Sequence, residues 1–118
     1  MGSPIVHFEV LGPDHKGLSE FYAGQFGWGI QSVMDEYDLV TTEEGSLGGG
    51  IGTPFEGVDK LVIFYIQVPS IDEALASIES AGGETVRERT EIPGMVTYGQ
   101  FRDPAGNIIG LVEPGMPQ

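Results

Sequence analysis

The sequence contains no cysteine and has few positively charged residues. Without cysteine there are no disulfides, no thiolate nucleophile and no zinc or iron–sulfur site with cysteine ligands. The 118 residues include two histidines, His7 and His15, so a multi-histidine metal site within one chain is difficult to build. Lys and Arg number 5 against 18 Asp and Glu, which gives a formal net charge of −13. Because basic side chains supply the affinity for phosphates, we expect no nucleic-acid partner.

Long apolar runs are missing as well. No stretch approaches the roughly 18 apolar residues of a membrane-spanning helix, so we expect no membrane segment and a cytoplasmic protein. The acidic charge would also repel an anionic membrane surface. It would favour a cationic partner, although solubility or adaptation to salt is the simpler explanation of the charge.

The chain does contain a strand–helix pattern that occurs twice. In the first half, Ile5–Val10 has the alternation of a strand, and Asp14 is a candidate N-cap. The apolar stripe of a helix follows, and Gly27 ends it. Short strands are predicted next, at 30–34, 37–42 and 48–52.

The second half repeats this order about 56 residues later. Leu61–Val68 is predicted as a buried strand, and Ser70 with Glu73 forms a capping box for a second helix that closes at Gly82. Further strands are predicted at 85–90, 95–102 and 107–113, the last two joined by a turn at 103–106. The repeat predicts one α+β domain over residues 1–118, built from βαβββ modules at about 4–56 and 60–114.

Four segments in this order resemble the vicinal oxygen chelate superfamily, which includes glyoxalase I, bleomycin-resistance proteins and extradiol dioxygenases. The resemblance implies two tandem βαβββ modules whose curved mixed sheets surround a cavity for a small molecule, usually in a homodimer. The resembling segments are Ile5–Val10, Phe21–Trp28, Ala74–Gly83 and Phe101–Asn107, the last followed by Gly110-Leu111.

Metal-dependent members of this superfamily take one ligand from the first strand and one from the last strand of each module. By the resemblance, His7 fills the first-strand position of the first module, fourteen residues before Phe21. The matching position of the second module falls on Ile63, or on Tyr65 after a slip of two residues. Neither is a convincing ligand for a catalytic divalent ion.

The last strands supply no ligand in this alignment. Gly110 stands where metal-binding members carry a glutamate, and Glu113, three residues further on, points to the opposite face of its strand. The corresponding strand of the first module, 48–52, has no side chain that could coordinate a metal. We therefore expect no bound metal. If a divalent metal is bound, Glu9 and Gln67 are the candidates to join His7.

The expected ligand-binding residues are polar side chains at alternate strand positions, together with the single tryptophan. His7 and Glu9 lie on one face of the first strand, and Tyr65 and Gln67 lie on one face of the fifth. Trp28 is a candidate for stacking on a flat or cationic ligand, although packing is the more common role of an aromatic residue after a helix.

The sequence thus predicts a metal-independent protein that binds a small molecule, with a cationic ligand favoured and with antibiotic or toxic-metabolite sequestration as the hypothesis. Binding of this kind needs a preformed cavity and no catalytic group. Two alternatives stay open: a divalent-metal-dependent lyase, isomerase or dioxygenase, and a degenerate, non-catalytic subunit. The expected assembly is a homodimer.

Overall fold

The structure is a computed structural model that describes residues 2–115. Within that range the order of elements confirms the α+β prediction. The elements are β1 (Ile5–Leu11), α1 (His15–Phe26), β2 (Gly29–Met34), β3 (Tyr37–Thr41), β4 (Gly49–Gly52), β5 (Leu61–Gln67), α2 (Ile71–Ser80), β6 (Glu84–Ile92), β7 (Val96–Arg102) and β8 (Ile108–Val112).

The chain divides into two compact units. The first unit is Val6–Ile63, and within the described range the second combines residues 2–5 with residues 64–115. The predicted module limits, about 4–56 and 60–114 within one domain, stay a prediction. Neither α1 nor α2, which are the helices in the described range, is long and apolar enough to cross a membrane.

The sheet of the first unit has the strand order β2-β3-β4-β1. β1 and β4 run parallel, whereas β2–β3 and β3–β4 are antiparallel. In this register Glu9 is opposite Gly50 on one side of β4, and Leu39 is opposite Gly50 on the other. Because side chains alternate along a strand, these residues share one face of the sheet. We call it the helix-free face, since α1 packs on the other side.

Helix α1 is attached to this sheet by polar contacts that the sequence pattern did not predict. Asp14 caps the helix by accepting a hydrogen bond from the Gly17 N–H at 3.1 Å, as expected. The buried helical residue is Ser19, whose hydroxyl donates to the buried carboxylate of Asp38 at 2.7 Å. Only part of the predicted apolar stripe of α1 is buried, since Phe21 is 55 % exposed and Phe26 is 63 % exposed.

The second unit repeats the first in its topology. Its strand order is β5-β8-β7-β6, with β5 and β8 parallel and the other neighbours antiparallel. Tyr65 and Gln100 are both opposite Gly110, from β5 and β7 respectively. They occupy the register positions that Glu9 and Leu39 hold around Gly50 in the first unit.

An apolar core joins α2 to its own sheet. The buried core residues are Ile71, Leu75, Phe101, Ile109 and Leu111. The predicted N-cap is confirmed, because the Ser70 hydroxyl oxygen accepts a hydrogen bond from the Glu73 N–H at 3.2 Å. Since Phe101 and Leu111 face α2, their neighbours Gln100 and Gly110 lie on the helix-free face of this unit.

Candidate functional site

A hydrogen-bonded row of three side chains lies on the helix-free face of the first unit. The Tyr37 hydroxyl donates to Oε2 of Glu9 at 2.8 Å, and Nε2 of His7 lies 3.0 Å from the same hydroxyl oxygen. Because the single phenol proton is given to Glu9, the hydrogen of the His7 contact must be carried by Nε2. The row therefore runs in one direction, from the His7 N–H to Tyr37 and from Tyr37 to the carboxylate.

Burial sets the charge of His7. Desolvation lowers the pKa of His7 from 6.5 to about 4, so the ring is neutral at physiological pH. In this neutral tautomer Nε2 carries the hydrogen and Nδ1 carries the lone pair. His7 and Glu9, which the sequence placed on one face, are thus brought together in the structure through a third residue, Tyr37.

The glycine-rich strand β4 makes room for this row. A Cβ atom at Gly50 would collide with the hydroxyl and ring carbons of Tyr37, and one at Gly52 would lie 2.7 Å from a Tyr37 ring carbon. A side chain at either position would have to displace the tyrosine. The run of glycines therefore permits the close approach of an aromatic ring to the sheet.

The second unit contains a similar arrangement around Gly110. The buried ring of Tyr65 covers this glycine so closely that a Cβ there would collide with three ring carbons. The Tyr65 hydroxyl accepts a hydrogen bond from Nε2 of Gln100 at 3.1 Å, and Gln100 is itself buried. In each unit a tyrosine ring fills the space over the glycine of the last strand.

The sequence matches a known family over most of the chain. The model of the Glyoxalase/Bleomycin resistance protein/Dioxygenase superfamily matches residues 4–111. This protein belongs to that superfamily. The resemblance inferred from the sequence motifs is thereby confirmed.

Curated relatives within the superfamily share about a quarter of their residues with this chain. "Putative glyoxylase CFP32" of Mycobacterium tuberculosis is 27 % identical over 109 residues, covering 92 % of this chain and 38 % of that protein. "Anthracycline biosynthesis protein DnrV" of Streptomyces peucetius is 24 % identical, covering 92 % of this chain and 46 % of that protein. The chain thus spans less than half the length of these relatives.

Two solved structures show a similar fold. The methylmalonyl-CoA epimerase of Mycobacterium tuberculosis superposes with a TM-score of 0.70 at 16 % identity, covering 94 % of this chain and 87 % of that one. The Mn(II)-bound glyoxalase of Novosphingobium aromaticivorans gives a TM-score of 0.64 at 18 % identity, covering 95 % and 38 %. At this level of identity the likeness establishes the glyoxalase-like fold alone.

Metal-dependent members of the superfamily require a ligand set that these residues do not fit. Both last-strand positions are glycines whose side-chain space is filled by the rings of Tyr37 and Tyr65. Nε2 of His7, the one matching ligand atom, is engaged with the Tyr37 hydroxyl. Across residues 2–115 no group of three or more His, Cys, Asp or Glu side chains is arranged to hold a metal ion.

Glu113 is held away from the metal position, as its place in the strand predicts. Its Oε2 accepts hydrogen bonds from the Ile71 N–H at 2.9 Å and from Arg89 at 3.0 Å. The hydrogen bonds from Arg89, together with that from the Ile71 backbone, lower the pKa of this carboxyl. Glu113 therefore anchors the start of α2, on the face opposite Gly110.

The other predicted contact residues include Gln67 and Trp28. Gln67 is half-buried at the end of β5 and belongs to the second unit. Trp28 stacks on Tyr22, with ring centroids 5.2 Å apart, and contacts Phe8 at 5.6 Å. Since Phe8 alternates with His7 along β1, Trp28 lies on the helix side of the sheet. Its role in ligand binding stays a prediction.

An apolar cleft in the first unit lies outside the predicted set. It has a volume of about 750 Å³ and is formed by the end of β1, the start of α1 and the start of β5. Leu18, Leu61 and Val62 line it, with Lys60 and Asp14 as its charged residues. His7 and Glu9 do not contribute to this cleft.

Two polar contacts of these residues do not follow from the sequence. The sequence offers Tyr37 as an aromatic residue on a predicted strand that could stack on a flat or cationic ligand, but it does not indicate the contacts with His7 and Glu9, and it does not single out Gln100. The signal for Gln100 was available, because a polar residue alternates there with Gly99 and Phe101 in a strand of the core sheet. Its partner could not be identified from the sequence, since Tyr65 is 35 residues away.

Proposed function

We propose that this protein binds a small organic molecule without a catalytic metal and uses His7, Tyr37 and Glu9 as the polar contacts of the site. The observation that carries the proposal is the position of Tyr37. Its ring lies over Gly50, where a ligand side chain would stand, and its hydroxyl joins His7 to Glu9. The first module therefore presents an aromatic surface with polar atoms along one edge.

A cationic aromatic molecule is the ligand class that this chemistry favours. Glu9 brings a carboxylate to the site, His7 adds no positive charge while its ring is neutral, and the chain as a whole carries −13. Tyrosine faces attract cations and stack on flat rings. The superfamily includes bleomycin-resistance proteins, and a relative is named for anthracycline biosynthesis, which also favours sequestration or handling of an aromatic antibiotic.

The alternative function is a divalent-metal-dependent lyase, isomerase or dioxygenase. A relative named as a glyoxylase and a Mn(II)-bound structural neighbour favour it, and His7 occupies a ligand position of such enzymes. Metal analysis of protein purified without chelator separates the two. We expect far less than one equivalent of nickel, zinc, manganese or iron, whereas a stoichiometric metal would contradict the metal-free proposal.

Binding itself is tested by thermal shift and calorimetry with doxorubicin, a cationic anthracycline, and with its neutral N-acetyl derivative. A ligand at about 100 times its Kd should stabilise the protein by about 2.7 kcal/mol. We expect the cationic compound to bind more tightly. If neither compound nor any member of a broad cationic panel raised the Tm, a non-catalytic subunit would be the better assignment.

Matched variants locate the site. His7→Ala and Glu9→Gln should each weaken binding of the cationic ligand about tenfold, since the first removes a hydrogen-bond partner of Tyr37 and the second removes the carboxylate charge while keeping an acceptor for the Tyr37 hydroxyl. His15→Ala and Glu20→Gln are the controls, because these residues lie on α1 rather than on the helix-free face. Equal affinity in all four variants would mean that the ligand binds elsewhere.

We also propose that the protein is a homodimer. Support comes from large apolar side chains that the chain leaves exposed. Val62 is 74 %, Phe26 63 % and Phe21 55 % exposed. Apolar side chains of this size, when they are contiguous on a surface, commonly mark contact with another protein.

A further inference from the structure

The cleft of about 750 Å³ in the first unit has the size of a small-molecule site, since such sites commonly enclose about 300 to 1,000 Å³. All the residues that line it belong to Val6–Ile63, so its walls come from one unit alone. His7, Glu9 and Tyr37 do not line it. Whatever this cleft binds is therefore bound at other residues than the ligand of the proposed site.

The walls of the cleft are mostly apolar. Val10, Leu11 and Leu18 come from β1 and α1, and Leu61 and Val62 come from the start of β5. Leu18 and Leu61 are half-buried and Val62 is 74 % exposed, so the chain itself leaves part of this apolar surface in water. Covering such a surface with an apolar group is favourable, which favours a ligand that has a hydrocarbon part.

The cleft has one charged group of each sign, Asp14 and Lys60. The carboxylate of Asp14 is engaged within the fold, because its Oδ1 accepts the hydrogen bond from the Gly17 N–H that caps α1. Lys60 is exposed and forms no ion pair within the part of the chain that the structure describes. Asp59, the residue before it, does not line the cleft. The ammonium group of Lys60 is therefore available to an anionic group of a ligand.

We infer that this cleft is a second binding site and that it takes an amphiphilic carboxylate with an alkyl chain. The alkyl chain packs against Leu18 and Leu61, and the carboxylate pairs with Lys60. This site differs from the proposed one in its residues and in the sign of the ligand's charge. Its failure would leave the proposed binding of a cationic aromatic molecule untouched.

Decanoate and decylammonium test the charge of the ligand, because they share an alkyl chain and carry opposite charges at neutral pH. The net charge of −13 attracts the ammonium compound to the whole surface, so a preference for the carboxylate requires a local positive group. In calorimetry below the micelle concentration, we expect one decanoate per chain to bind about fivefold more tightly than decylammonium. Equal affinity, or tighter binding of decylammonium, would overturn the inference.

Lys60→Gln is the decisive variant, and Lys16→Gln is its matched control. Each removes one positive charge from an exposed lysine, but Lys16 is on α1 and does not line the cleft. Lys60→Gln should weaken decanoate binding about fivefold, whereas Lys16→Gln should leave the Kd within about twofold. Equal losses of affinity in the two variants would show that the carboxylate does not pair with Lys60, which overturns the inference.

The length of the alkyl chain tests its burial in the cleft. Octanoate has two methylenes fewer than decanoate and should bind about tenfold more weakly, since each buried methylene adds to the affinity. Leu18→Ala should weaken decanoate binding about threefold, and Leu47→Ala, at an exposed leucine outside the cleft, should not. Unchanged affinity in Leu18→Ala, with circular dichroism like that of the wild type, would overturn the inference.

A second copy of the chain is the competing occupant of the cleft, because Val62 is exposed beside it. A copy seated in the cleft would have to leave before decanoate enters, so decanoate would dissociate the dimer. Sedimentation velocity with and without saturating decanoate measures this. An unchanged sedimentation coefficient with one decanoate bound per chain supports the inference, and dissociation by decanoate would overturn it.

Discussion

His7 shows how burial alone can control the chemistry of a single residue. Desolvation lowers its pKa to about 4, and its ring then donates a hydrogen bond to Tyr37 as a neutral group. Between this value and 6.5, the unfolded chain binds a proton at His7 that the native protein does not. The free energy of unfolding must therefore fall as the pH is lowered through this range.

His7→Gln tests this linkage, because glutamine keeps a hydrogen-bond donor and cannot titrate. Between pH 6.5 and pH 4 the wild-type protein should lose about 2 to 3 kcal/mol of stability more than the variant does. Urea unfolding at several pH values measures the difference. His15→Gln, which leaves His7 in place, is the control for replacing a histidine by glutamine. Parallel curves for the wild type and His7→Gln would show that His7 is not desolvated.

At the scale of the element, Gly50 of β4 and Gly110 of β8 have the same structural role, which is to leave room for a tyrosine ring. Each pairs with a strand that carries a tyrosine, β3 for Gly50 and β5 for Gly110, and the ring of that tyrosine fills the space where a side chain would stand. Close packing, and not backbone conformation, therefore requires glycine at positions 50 and 110, since neither residue has a positive φ. At both positions the tyrosine ring fills the space that a side chain would need.

Gly110→Ala should destabilise the protein by about 1 to 3 kcal/mol, because its Cβ collides with the ring of Tyr65. In a Tyr65→Leu background the same change should cost at least about 1 kcal/mol less. Gly24→Ala provides a control of opposite sign: its Cβ meets nothing within 4 Å in α1, so it should stabilise by up to about 1 kcal/mol. Additive effects of Gly110→Ala and Tyr65→Leu in chemical denaturation would contradict the contact.

The same element scale explains what could be predicted from the sequence. Asp14 and Ser70 were identified as N-caps because capping depends on residues three positions apart. The contacts of Tyr37 with His7 and of Gln100 with Tyr65 join residues 30 and 35 positions apart. They depend on strand register and on small bulges, which local patterns do not determine. The exposure of Phe26 was not predicted for a related reason. The spacing of apolar residues along a helix does not determine which parts of the chain cover them.

At the scale of the whole molecule, strong acidity coexists with exposed apolar side chains. The net charge of −13 opposes association, so any contact between two copies must come from apolar burial that exceeds the repulsion. Salt should then strengthen the dimer, because screening weakens the repulsion between like charges and leaves apolar burial in place. Large exposed apolar residues are available for this contact: Ile5, Phe21, Phe26, Met34, Leu39, Leu47, Val62 and Phe64.

We propose that the contact between copies includes β5, where Val62 is the most exposed of these residues at 74 %, and Val62→Arg should then separate the two copies. A buried, unpaired charge in an interface costs several kcal/mol, which is enough to shift a micromolar dimer to monomer. Sedimentation velocity over a range of concentrations and salt should show a dimer for the wild type and a monomer for Val62→Arg, with unchanged circular dichroism. Leu47→Arg, in the loop before β4, controls for the added charge and should remain dimeric, because Leu47 lies outside β5. A wild-type protein that stays monomeric at every concentration would contradict the dimer and would require each chain to hold its ligand alone.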